Sequence, residues 1–161
     1  MASLEDIILY FCDHYPHKSE LSKARITKMV YLADWKSALD NEKQISSIGW
    51  HFNHFGPYVD DVVEEARRSR KLDVIQTNNI YGNLKELVAA SAGSSSAQIS
   101  QEEEDVLDHV IKTTKDKYWS GFIKLVYSTY PILVTPKYNS LNLEDLAKKY
   151  KEKKGVLIPG E

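Results

Sequence analysis

Apolar side chains return at three-and-four spacing in segment after segment of this chain, and alternate at a spacing of two over 45–55. The first pattern buries one face of a helix and the second one face of a strand, so periodicity sets the class first. Leu4, Ile7, Ile8, Phe11, Cys12 and Tyr15 make the first helical stripe, with Ser3 and Asp6 as a box-like cap and Pro16 as the stop. A second helix begins near Leu21 or Ser22 and carries Ile26, Met29, Val30, Ala33 and Trp35 towards Leu39. Ile48, Trp50 and Phe52 then alternate with Gly49, His51 and Asn53 as a short half-buried strand. Gly56-Pro57 breaks it, and Pro57 is expected in the first turn of a helix bearing Val59, Val62, Val63 and Ala66.

Beyond the basic stretch Arg67-Arg68-Ser69-Arg70-Lys71, residues Leu72 to Val88 read as a hairpin punctuated by Asn78-Asn79 and Gly82-Asn83. Ala89 to Gln98 is almost entirely Ala, Ser and Gly and is expected to be a flexible surface loop. Ser100 and Glu103 form a capping box for a helix whose apolar side is Val106, Val110 and Ile111. A helix from about Ser120 is apolar nearly all round, through Phe122, Ile123, Leu125, Val126, Tyr127 and Tyr130, and is expected at the centre of the core. Pro131 and Pro136 bracket an extended Ile132-Leu133-Val134, and a last helix opens at Asn142 with Leu143, Leu146, Ala147 and Tyr150. The tail from Lys151 is polar until Val156-Leu157-Ile158. The sum is an α+β chain, mainly α-helical, with about six helices and a small antiparallel sheet or hairpin.

Its 161 residues fit one domain, and a hydrophobic fraction of 42 % supplies an ordinary core. Twenty-one Lys and Arg against twenty-three Asp and Glu leave a formal charge of -2, so nucleic acid or a membrane surface would have to be met by a local patch. The start, Met1-Ala2-Ser3-Leu4-Glu5-Asp6, has neither the basic nor the apolar region of a signal peptide, and a cytoplasmic protein is expected. Cys12 is the single cysteine, which excludes an internal disulfide, and inside an apolar stripe it reads as an inert thiol.

Catalytic signatures are sparse. His51 and His54, with Asp60 and Asp61 nearby, invite a metal-dependent hydrolase, but a His-x-x-His pair on a strand points its rings to opposite faces. There is no His-Glu-x-x-His, no Gly-x-Ser-x-Gly and no Walker lysine. The residues name no catalytic site, metal or cofactor, and an enzyme is not expected. The basic run at Arg67 to Lys71 and the five lysines between Lys148 and Lys154 would suit phosphate, and the helix-then-hairpin order is similar to a winged-helix layout. A DNA-binding regulator therefore stays open as the alternative. Ten Tyr and three Trp are the more unusual feature, because large amphipathic rings favour interfaces as well as cores.

The stretch from Leu21 to Trp35, with Lys23, Lys28, Tyr31, Ala33 and Asp34 in order, resembles the opening signature of the Panacea (SocA-like) antitoxin domain family. Trp50 and Gly56-Pro57-Tyr58-Val59 match the strand and the glycine–proline turn that follow in that family. Ser120 to Pro131, with its Lys124-Leu125-Val126-Tyr127, is similar to the family's late helix ending at a proline. The likeness spans Leu4 to Pro131, implying a single domain over 1–150, with the loop near 89–98 and a C-terminal tail over 151–161 as departures from it.

The resemblance implies the antitoxin of a toxin–antitoxin pair, or a phage- or prophage-associated relative. Its partner would be a cognate toxin protein, blocked by direct contact or handed to a cellular protease. Tyr31, Asp34, Trp50, Gly56 and Pro57 are then expected to be fold determinants: Gly56 for an unusual backbone angle, Pro57 for the helix start, Asp34 for a buried donor. Toxin contact is expected on the aromatics near that turn: Trp35, His54, Phe55, Tyr58 and Trp119.

Overall fold

A computed structural model describes residues 2–157. Its seven helices are α1 (Leu4–His14), α2 (Lys23–Asn41), α3 (Asp61–Arg68), α4 (Gln101–Thr114), α5 (Trp119–Tyr127), α6 (Tyr130–Val134) and α7 (Leu143–Leu157). Five strands complete it: β1 (Trp50–Asn53), β2 (Gly56–Pro57), β3 (Leu72–Asn78), β4 (Leu84–Ala90) and β5 (Ser140–Leu141). The chain is α+β and mainly helical.

Helix α2 is the axis of the fold. Ser22 caps it by accepting the Arg25 N–H, and thirteen of its nineteen residues are buried. It packs against α7, α4 and α3, while α1 lies against β4, α3 and α4. A helix buried on every side cannot be amphipathic, so its polar residues must be satisfied inside the protein. Arg25 is satisfied at one end: Nη2 donates to the Tyr15 hydroxyl and to the carbonyls of Thr114 and Lys117, at 2.8–2.9 Å, while Nε is buried without a partner among the described residues. Its guanidinium lies 4.4 Å from the Phe122 ring centroid, so one side chain caps the end of α4 and seats α5.

In the small sheet, β1 runs antiparallel between β2 and β5, pairing Phe52 with Pro57 and Trp50 with Leu141. Its burial alternates as expected, with Trp50 and Phe52 inside and His51 and Asn53 outside. The second sheet is the hairpin β3–β4, in register from Leu72↔Ala90 to Asn78↔Leu84. The capping box at Ser100 and Glu103 is formed, and Glu103 also accepts the Ala2 N–H.

Several expectations are corrected. Pro57 does not open a helix: it lies in β2, and α3 starts at Asp61, because pairing with Phe52 holds the chain extended. Ala89 and Ala90 belong to β4, and Ala97 and Ile99 pack against the core, so the small-residue stretch is shorter than its composition implied. The helix expected to be central ends at Tyr127 and buries only Phe122 and Val126. Ile132 to Val134 is helical rather than extended, because Pro131 sits at the start of α6, where a proline opens a helix as readily as it closes one. Helix α7 continues through Lys151 to Leu157; the remainder of the expected tail, Ile158 to Glu161, lies outside the described residues.

Candidate functional site

Tyr31, Asp34 and Trp50 meet in the core. The Asp34 carboxylate accepts the N–H groups of Ile45 (3.0 Å) and Ser46 (2.9 Å), the Ser46 hydroxyl, and the Trp50 indole N–H at 2.8 Å. Burial raises its carboxyl to about 6, against the pull of those donors. Trp50 lies edge-on to Tyr31, with centroids 5.5 Å apart, and the Tyr31 hydroxyl meets Thr129 Oγ1 at 2.8 Å. This cluster ties β1 and the bend before it to α2, and its Tyr31, Asp34, Ser46 and Trp50 are all buried.

An open groove of about 650 Å³ lies on another side of α2. Three elements build it. Lys23, Ala24 and Lys28 form one face of α2, and Trp119, Ile123 and Tyr127 form a stripe at four-residue spacing on α5. The third wall is the turn joining β1 to β2, with Asn53, His54 and Phe55, followed by Tyr58. The tight turn turns Phe55 outward until it is 74 % exposed, and Trp119 on the opposite side is 48 % exposed. The apolar run of α5 thus divides between two faces, Phe122 and Val126 entering the core while Trp119, Ile123 and Tyr127 line the groove, which is why the helix looked apolar all round without being central.

Gly56 allows the turn and α5 to meet. Its φ is +98°, in the region that favours glycine, and a Cβ there would stand 3.1 Å from Tyr127 Cε1. Tyr127 is held from behind by an edge contact to Phe52. Across the turn, His54 Nδ1 lies 3.2 Å from the Tyr138 hydroxyl.

Of the five residues expected to meet a partner, His54, Phe55, Tyr58 and Trp119 come together here. Trp35 does not. It is 7 % exposed and packs between Tyr130 of α6 and Tyr150 of α7, because position 35 faces those helices. Ile123, Tyr127 and Lys28 were not singled out by the sequence. A lysine set close to Ile26, Met29 and Val30 was the available signal for the last of these.

The remaining candidates are dispersed. His51 and His54 are both exposed, and among the described residues no three His, Cys, Asp or Glu side chains gather as a metal-holding group. In the basic stretch, Arg67 pairs with Glu86 at 2.7 Å, Arg68 with Glu65 at 2.6 Å, and Lys71 approaches Glu5 at 3.8 Å. Those cations already face carboxylates. Among the described residues, no helix is long and apolar enough to cross a membrane.

Fold and groove together define a small, mainly helical domain with an open, aromatic-lined recess. The sequence matches the family described as antitoxin SocA-like, Panacea domain, over residues 26–131, and the chain belongs to that family. The matched span runs from α2 into α6 and so contains residues from every wall of the groove. No curated protein and no solved structure matches the chain.

Proposed function

We propose that this chain is the antitoxin of a toxin–antitoxin pair and neutralises its cognate toxin by direct binding in the groove between α2, the β1–β2 turn and α5. The observation that carries this reading is the aromatic recess itself: Phe55 and Trp119 are large, exposed and line one groove in a domain of an antitoxin family. Inhibition by contact needs a desolvated centre ringed by complementary surface, and aromatic anchors supply most of such affinity. It requires no catalysis by this chain, and both partners would meet in the cytoplasm. The DNA-binding alternative draws no support from the basic stretch, whose Arg67, Arg68 and Lys71 are engaged by acids.

The test is growth of cells expressing the neighbouring gene, with and without this chain. Toxicity relieved by the wild type but not by Phe55→Ala is the expected result; a harmless neighbour, or full relief by that variant, removes the reading. The fate of the toxin separates two modes. A toxin that persists during rescue is blocked in place, and one that disappears is delivered to a protease.

A further inference from the structure

Lys28 is only 2 % exposed, and its Nζ lies 5.7 Å from the centroid of the Tyr58 ring. Among the described residues its ammonium meets the Tyr58 ring and no hydrogen-bond or ion-pair partner, and no acidic side chain lines the groove it enters. Burial alone lowers the amine to about 8, so it still carries its proton at neutral pH. The buried side-chain atoms left without a partner are Asp6 Oδ1 and Arg25 Nε among the described residues, so the Lys28 ammonium keeps solvent contact through the groove, and a ligand filling the groove would have to replace that contact with a counter-ion. The other groove lysine, Lys23, is already held by Glu86 at 3.1 Å.

We propose that Lys28 is the anchor for a side-chain carboxylate, an Asp or Glu flanked by large apolar residues, on the toxin segment that fills the groove. The identity of that segment rests on the antitoxin reading above; the chemistry rests on Lys28. One ammonium balances one carboxylate, whereas a phosphate dianion would leave a second charge in an apolar recess. Phe55 and Trp119 at the rim take the flanking apolar residues, and Tyr58 closes over the ion pair. A segment crossing an open groove presents its side chains to the floor, whereas a free chain end would have to carry its backbone past that rim. Desolvated on binding, the pair becomes a charge-assisted contact of the stronger kind.

The probe is a phage-displayed library of random dodecapeptides fused through their C-termini, so that only side-chain carboxylates are offered. Panning on the wild-type chain is expected to enrich sequences with one Asp or Glu beside a large apolar residue. For a synthetic copy of an enriched peptide, Lys28→Met and carboxylate-to-amide replacement should each weaken binding about tenfold or more, with no further loss when combined. Phe55→Ala, at a rim position 74 % exposed, should weaken it independently. Enrichment of acid-free peptides, equal affinity for Lys28→Met, or no enrichment at all overturns the assignment. The library contains no toxin, so a harmless neighbouring gene leaves this result standing, and failure here leaves growth rescue standing.

Discussion

Asp34 and Lys28 lie on the same helix, six residues apart, and both are buried. Around Asp34 the bend after α2 and the start of β1 supply two backbone N–H groups, a hydroxyl and an indole N–H. Around Lys28 there is an aromatic face and open space. Both groups are shifted by burial in the direction that disfavours their charge, the acid upward and the amine downward. Only the acid has been compensated. A fully partnered buried charge serves the fold, because its partners are the fold; one left unpartnered marks a place where the fold is incomplete until something binds.

The largest expected effect breaks the partnered side. Asp34→Ala strands the Trp50 indole and the N–H groups of Ile45 and Ser46 in the core. At about 1–3 kcal/mol for each unsatisfied donor, urea unfolding should show a loss of about 3–5 kcal/mol. A loss under about 1 kcal/mol would mean that water or a relaxed bend replaces the carboxylate, and the contrast with Lys28 would disappear.

The opposite sign is expected at the other site. Lys28→Met keeps most of the side chain's volume and removes the charge, so it should stabilise the chain at pH 7 by about 2–3 kcal/mol. With the folded-state amine at about 8 and the unfolded one near its usual 10.5, the unfolded chain binds more protons between those values. Stability of the wild type should therefore rise with pH across that window, while the variant lacks the rise. Unfolding curves at pH 7 and pH 10 check this. A variant less stable than the wild type at both would make Lys28 an ordinary packing residue.

Smaller effects sharpen the comparison. Gly56→Ala forces a side chain into a left-handed backbone and against Tyr127, and should cost about 1–2 kcal/mol while disturbing the groove wall. Tyr127 ring resonances would report the second effect. Phe55→Ala should change stability by less than about 0.5 kcal/mol, since the ring is exposed, yet weaken the partner contact. Loss of stability there would place Phe55 with the core rather than the rim.

Asp34 was expected only from the family resemblance to satisfy a buried donor; that its donors are the Trp50 indole and the bend at Ile45 and Ser46 depends on the tertiary packing and was not legible in the sequence. The turn aromatics and Trp119 were expected together only as the partner contact that the family resemblance implied. What brings them together is Gly56 against Tyr127, a long-range approach that no local pattern encodes. Trp35 was misplaced for the same reason: its partners Tyr130 and Tyr150 are distant in sequence, and a ring's surroundings decide whether it is core or surface. β5 is two residues long and exists because Trp50 and His51 offer it a partner. Lys28 was read only as part of the family signature and not as a site residue, because a lysine in a helix reads as solvated by default.

Cys12 is buried on α1, its Sγ donating to the Val88 carbonyl at 3.6 Å, and burial pushes its thiol up to about 12. As the single cysteine of the chain, it leaves the folded protein silent towards alkylating and maleimide reagents. A thiol placed at position 55 or 119 would consequently be the one addressable atom on the molecule. Cross-links or dyes attached there would report on the rim of the groove, with the wild-type background already blank.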